Sequence, residues 1–150
     1  MDGPHLWAMQ IVCPSCGAAN RLPEDRDPAG AKCGRCKNAV FIGMPIEVDA
    51  AGLDRHRRLT QGAAVLLDVW APWCGPCRAM APNYAAAAGK LEPGVRLLKL
   101  NSEAHPAPAS ALGVSGIPAL ILFRDGAVVA RSAGLMSAPQ IVDWTNRALA

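Results

Sequence analysis

The chain has 150 residues, 51% of them hydrophobic and 18% charged, with a formal net charge of +3. That charge is too small for an electrostatic footprint on nucleic acid, and no apolar run reaches the roughly 18 residues of a membrane span. Leu6–Val12 is too short, and broken by Gln10, to be a secretory signal core, so a soluble, cytoplasmic setting with reduced thiols is expected.

In chain order, residues 1–9 read as a short leader without tag, repeat or cleavage signal, and translation starts at either Met1 or Met9. Cys13-Pro14-Ser15-Cys16-Gly17 follows, then sixteen intervening residues, then Cys33-Gly34-Arg35-Cys36. Paired C-x2-C motifs at this separation are the pattern of a tetrahedral zinc site, with two disulfides as the competing reading. Cysteine fills all four positions and leaves none open for water or substrate, so one structural zinc per chain is expected. Gly17 and Gly34 suit the tight turns that aim backbone N–H groups at thiolate sulfur. Arg21, Lys32, Arg35 and Lys37 offset the excess negative charge. Apolar residues are few between Ile11 and Phe41, and a module this small seldom folds without a metal or disulfides; a bound metal would supply the missing folding energy. The chain is therefore expected to divide into a zinc ribbon, residues 1–43, and a larger unit, residues 44–150.

The larger unit alternates. A strand near Ile46–Val48 leads to a helix from Asp49 to about Leu59. Leu53 and Leu59 face inward on it, and Arg55-His56-Arg57-Arg58 forms a solvated face rather than a phosphate patch. His5, His56 and His105 read as ordinary surface or loop histidines. Strand Ala64–Trp70, a long helix Gly75–Leu91 kinked at Pro82, strand Val95–Asn101 and a short helix around Ala107–Leu112 come next. Strands Ala119–Phe123 and Ala127–Ala133 are joined by Asp125-Gly126, a direct hairpin signal, and a helix Ala138–Leu149 closes the chain. This pattern predicts an α/β fold, a mixed central sheet with helices on both faces.

Trp73-Cys74-Gly75-Pro76-Cys77 lies where the strand to Trp70 turns into the long helix. At i and i+3 of a helical turn, two cysteines fall within the roughly 4.4–6.8 Å Cα separation of an unstrained disulfide. A plain buried disulfide or half of a zinc site would use the same spacing, but the strand before and the helix after favour redox chemistry. The helix N-terminus favours a thiolate at Cys74, making it the nucleophile. Gly75 leaves it accessible, Pro76 sits in the first helical turn where its missing N–H costs nothing, and Cys77, further in, resolves the mixed disulfide. Asp68 is the single acid in an otherwise apolar strand and is read as buried, with a solvated strand face as the alternative. Buried, its raised pKa would let it exchange a proton with Cys77, modulated by Lys99 on the neighbouring strand.

These residues resemble the thioredoxin family over about Met44–Ala150, and the cysteine-rich start resembles the zinc-ribbon-containing bacterial members. The resemblance implies a thioredoxin fold preceded by a small N-terminal zinc ribbon. It places a buried acid at Asp68, its lysine partner at Lys99, a cis-proline at Pro118 in Gly116-Ile117-Pro118 and a groove glycine at Gly134. Trp73, Gly75, Pro76, Ile117 and Gly134 would then line the substrate groove, and Phe123-Arg124-Asp125-Gly126 matches the family's hairpin turn. Val69, where an aromatic is usual, and Pro72, where a charge is common, depart from the pattern without touching a reacting group.

The implied activity is protein-disulfide reduction by dithiol–disulfide exchange on oxidised client proteins. The oxidised pair would be regenerated by an NADPH-dependent thioredoxin reductase. No dinucleotide fingerprint occurs in the chain, so nucleotide and flavin are assigned to that partner and none is expected here. The alternatives are a zinc-regulated redox sensor and a protein-binding module that uses the fold for docking.

Overall fold

The computed structural model describes residues 8–150; His5 and the leader as far as residue 7 lie outside the described residues. Strands β1 (Met9–Val12) and β2 (Ala19–Leu22) pair antiparallel, with Met9 opposite Leu22. Met9, assigned to the leader on sequence, thus already belongs to β1. Ile11, Leu22, Val40 and Phe41 bury their side chains with Cys13 and Cys33, and Ala63 from beyond the ribbon completes this small cluster.

The remainder runs β3 (Ile46–Val48), α1 (Ala50–Leu59), β4 (Ala64–Trp70), α2 (Gly75–Leu91), β5 (Val95–Asn101), α3 (Pro106–Ala111), β6 (Ala119–Arg124), β7 (Ala127–Ala133) and α4 (Ala138–Leu149). The five strands form one sheet in the order β3-β5-β4-β6-β7. Strands β3, β5 and β4 are parallel, while β6 and β7 are antiparallel to their neighbours. Asp125 and Gly126 turn the β6–β7 hairpin at positive φ, 51° and 81°, the pair of left-handed residues that a tight hairpin turn demands.

Strand alternation sends successive side chains to opposite faces. Val65, Leu67, Val69, Leu98, Leu100, Ile121 and Phe123 meet Leu53 of α1 and Ala109 of α3 on one face. Leu66, Leu97, Leu120 and Leu122 meet Met80, Tyr84, Ala87 and Leu91 of α2, with Ile141 of α4, on the other. On α2 the buried residues Cys77, Met80, Tyr84, Ala87, Ala88 and Leu91 form one stripe at helical spacing, so the second cysteine is drawn down against the sheet. The helix runs from Gly75 to Leu91 with Pro82 inside it.

The ribbon is fastened to the sheet by polar contacts. Gln10 and Gln61 exchange backbone hydrogen bonds of 2.8 and 3.0 Å. A Cβ on Gly62, whose φ is +76°, would collide with the Ala8 carbonyl oxygen, so only glycine permits this approach. Arg96 of β5 is fully buried and donates to the carbonyls of Val12 (3.0 Å) and Val40 (2.6 Å), to either side of the cysteine pairs. It also pairs with Glu92 at 3.0 Å and lies over the Phe41 ring.

The basic cluster on α1 departs from expectation. His56 is buried, because the helix turns it inward on the same side as Leu53. Desolvation, and then the charges of Arg96 and Arg55, push it down to about 4, so it is neutral. Arg57 stacks on Phe123 and donates to the Gly126 carbonyl, Arg58 pairs with Asp54, and Arg55 donates to the Gly17 carbonyl in the ribbon. The face is thus partly an interface rather than wholly solvated. His105 is half-buried and stands before α3 without a side-chain capping bond.

Candidate active site and metal centre

Cys74 is the N-cap of α2: its backbone is extended and its sulfur accepts the Cys77 backbone N–H at 3.2 Å. The two cysteines form a disulfide with Cα atoms 5.2 Å apart, inside the span expected of this spacing. Cys74 is 5% and Cys77 2% exposed, so both are buried and the first residue is the more accessible by a narrow margin. Access comes from its surroundings. A Cβ on Gly75 would meet nothing within 4 Å, Pro76 is exposed, and Trp73 is 67% exposed.

Across the cleft the Cys74 sulfur lies 4.0 Å from the Ile117 carbonyl oxygen. The Ile117–Pro118 peptide is cis, as the resemblance implied, and so is Glu92–Pro93. The Gly134 N–H donates to the Pro118 carbonyl at 2.9 Å, which brings the β7 end beside the proline loop. Leu135, next in sequence and 54% exposed, adds an apolar surface there; its only sequence signal was its place after Gly134.

Asp68 is 1% exposed and neither carboxylate oxygen has a hydrogen-bond partner, so the solvated alternative fails. Desolvation raises its pKa from 3.8 to about 7, against a lowering by the Lys99 charge and with a further raise from Glu47. Lys99 stands opposite Asp68 in the β4–β5 register. Its ammonium lies 4.8 Å from the centre of the Trp70 ring, and the Trp70 indole N–H donates to Glu47 at 3.0 Å. Tyr84 of α2, whose own pKa is raised by burial and then by the Asp68 charge, donates its hydroxyl to strand carbonyls of Leu66 and Leu98. Asp68 therefore sits on the sheet face covered by α2, the face toward which Cys77 points.

In the ribbon, the sulfurs of Cys13, Cys16, Cys33 and Cys36 lie within 4.8 Å of one another, with Cys13–Cys36 and Cys16–Cys33 at 3.6 Å. All four are free thiols, which disfavours the two-disulfide reading. Thiolates about 2.3 Å from a tetrahedral zinc stand roughly 3.8 Å apart, so the set fits the ion. Backbone N–H groups of Ser15 and Arg35 reach the Cys13 and Cys33 sulfurs at 3.4 Å, as a thiolate site requires. Asn20, which carried no sequence signal, donates to the Cys33 sulfur at 3.4 Å and accepts the Gly34 N–H. Within this set of four thiols the Cys36 backbone and then Asn20 lower Cys33 to about 6, while Cys16 is raised to about 11, so the first proton of the pair leaves from Cys33. The left-handed turn residues are Gly17 and Lys37, φ 78° and 69°. Gly34 does not take that role, because the position following each C-x2-C pair is the one that must reverse.

A reversible dithiol at a helix N-terminus, over a buried acid and facing a cis-proline loop, defines a thiol–disulfide oxidoreductase. The chain belongs to the thioredoxin family, whose profile matches residues 54–147, and residues 12–38 match the profile "Thioredoxin 2, N-terminal". It is 38% identical to thioredoxin C-3 of Corynebacterium nephridii over 141 residues, 94% of this chain and 96% of that one. It is 50% identical to a Chlamydia muridarum thioredoxin over 83 residues, 55% of this chain and 80% of the other. Among solved structures, a mutant thioredoxin of Halobacterium salinarum superposes with a TM-score of 0.62 at 31% identity, over 70% of this chain and 90% of the other. Thioredoxin f of spinach chloroplast reaches 0.66 at 27% identity, over 73% and 90%. Among the described residues, no helix is long and apolar enough to cross a membrane.

Proposed function

We propose that this chain is a cytoplasmic protein-disulfide reductase. The observation that carries the reading is Cys74 as N-cap of α2, its sulfur bonded to Cys77 and set against the Ile117 carbonyl. Reduced, the Cys74 thiolate attacks one sulfur of a client disulfide, forming a mixed disulfide and releasing the client's other sulfur as a thiolate, which takes up a proton. Cys77 gives its proton to Asp68 and attacks the Cys74 sulfur. The second client thiolate leaves and is protonated, so two electrons pass to the client and the Cys74–Cys77 pair is oxidised.

Lys99 modulates Asp68 from β5. Pro118 and the Ile117 backbone, with Trp73, Gly75, Pro76, Gly134 and Leu135, form the groove that holds the client in extended form. An NADPH-dependent thioredoxin reductase, by family analogy, returns the electrons.

Residues 1–43 are assigned to a ribbon and 44–150 to the catalytic unit. Cys13, Cys16, Cys33 and Cys36 would hold one zinc, which when bound supplies folding energy to the ribbon. Asn20 and the Ser15 and Arg35 amides orient their sulfurs.

The test is insulin reduction with dithiothreitol as the electron source, together with trapping by Cys77→Ser. Turnover, and a stable mixed disulfide on Cys74, are expected. Trapping through Cys77 in Cys74→Ser instead would reverse the two roles, and no turnover would refute the activity.

A further inference from the structure

Glu47 is absent from the residues that the sequence marked, yet it belongs to the same row of charge. It faces Lys99 across the β3–β5 pair, and Lys99 faces Asp68 across β5–β4. Its strand neighbours Ile46 and Val48 pack into the cluster under α1 and α3, so alternation turns Glu47 to the other face, the one that carries Asp68. Its carboxylate accepts the Trp70 indole N–H at 3.0 Å, and Trp70 packs against the small cluster of Ala71, Cys74 and Cys77. Lys99 lies over the same indole. Glu47 and Trp70 also line a cleft of about 540 Å³ between ribbon and sheet, which gives this end of the row a route to solvent.

We infer that Glu47 is a positioning residue for the redox site: it fixes the Trp70 indole and shares the charge of Lys99 between two carboxylates, so that Asp68 is not held as a permanent ion pair. Three observations support this. Among the described residues Lys99 makes no ion pair within 4.0 Å with either Asp68 or Glu47, so it acts on both across the strand register, and both Asp68 oxygens are unpartnered. The titratable groups that act on Asp68 are Lys99 from β5, Glu47 from β3 and Tyr84 from α2, and Cys77 lies on the same buried stripe of α2; the facing β6 residue, Leu120, is apolar. Of the charged ones, Lys99 favours the carboxylate and Glu47 opposes it. With Glu47 neutral, Lys99 acts on Asp68 alone, and Asp68 gives up its proton at lower pH and accepts one from Cys77 less readily.

This inference rests on the assignment of Asp68 as proton acceptor, and the test separates the two. Glu47→Gln removes the charge and keeps an acceptor for the indole; Glu47→Leu removes both. Insulin reduction is followed against pH for the full-length protein, Glu47→Gln, Glu47→Leu, Asp68→Asn and the Glu47→Gln/Asp68→Asn double variant. The Asp68 carboxyl carbon is titrated by NMR in the oxidised wild-type and Glu47→Gln proteins.

In Glu47→Gln, the rising limb of the profile and the carboxyl titration are expected to move together to lower pH, by on the order of half a unit for an exposed charge. The double variant should match Asp68→Asn, and Glu47→Leu should add a change in Trp70 fluorescence that Glu47→Gln lacks. If the limb disappears in Asp68→Asn but stays unmoved in Glu47→Gln, the role of Glu47 is refuted and that of Asp68 stands. If the limb survives in Asp68→Asn, the Asp68 assignment itself falls.

Discussion

Replacing Asp68 by Asn should make the protein more stable, by an amount that grows with pH. Burial holds the carboxyl at about 7 where the ordinary value is 3.8, a shift of about three units. At about 1.4 kcal/mol per unit, ionising Asp68 in the fold costs about 4 kcal/mol more than in the unfolded chain. The sign follows from proton counts: between about pH 4 and about pH 7 the folded state binds more protons than the unfolded one, so stability falls as pH rises. Above about 7 the full penalty applies.

Asn keeps the shape and never ionises. Its buried amide, like the protonated carboxyl, lacks partners, so the two proteins should differ little near pH 4. The assay is urea unfolding of both oxidised proteins from pH 5 to pH 9, with the ribbon's own pH response cancelling in the difference. The advantage of Asp68→Asn should grow by roughly 3 kcal/mol from pH 5 to pH 8. A difference that stays constant with pH, or an Asn variant less stable at pH 8, would refute the assignment of Asp68 as a buried, unpaired acid.

Arg96→Met should destabilise the protein by about 3 kcal/mol, because the Val12 and Val40 carbonyls and the Glu92 carboxylate all lose their buried partner; urea unfolding that matches the parent would show that this clamp adds nothing. Gly62→Ala places a Cβ against the Ala8 carbonyl at a positive φ, and a loss of about 1–3 kcal/mol is expected, read in the same assay, with β1 amides exchanging faster. Metal analysis of the reduced protein should find one zinc per chain, and Cys36→Ser should release it to a chelator at least tenfold more readily, since the ligand set loses a thiolate. Equal retention would remove Cys36 from the site.

The strands and helices from Ile46 onward were legible because each is a local pattern: apolar runs of strand length, a helical stripe on α2, and turn residues at Asp125-Gly126 that force a hairpin. The redox and ribbon cysteines were legible for the same reason, since disulfide and metal geometry translate directly into C-x2-C spacing. What escaped is non-local. His56 looked like one of four basic residues on a wet face, and only the packing of the ribbon against α1 and β5 shows that it is enclosed.

Arg96 carries a signal of burial in the sequence itself. It interrupts an apolar strand just as Asp68 does, and the reasoning that buried Asp68 applies equally to a guanidinium at the inward position of Val95-Arg96-Leu97-Leu98. The difference lies in what satisfies each group. Arg96 finds two carbonyls and a carboxylate contributed from sites as far as 84 residues away in sequence, so its purpose is invisible until the ribbon is in place. Asp68 finds no hydrogen-bond partner at all. A buried cation whose terminal nitrogens the fold answers with acceptors, leaving only its Nε without a partner, holds structure together. A buried acid that the fold leaves unanswered, on the sheet face under α2, has the freedom to exchange a proton that the proposed chemistry requires, and this contrast on adjacent strands separates the fastening of the ribbon from the site.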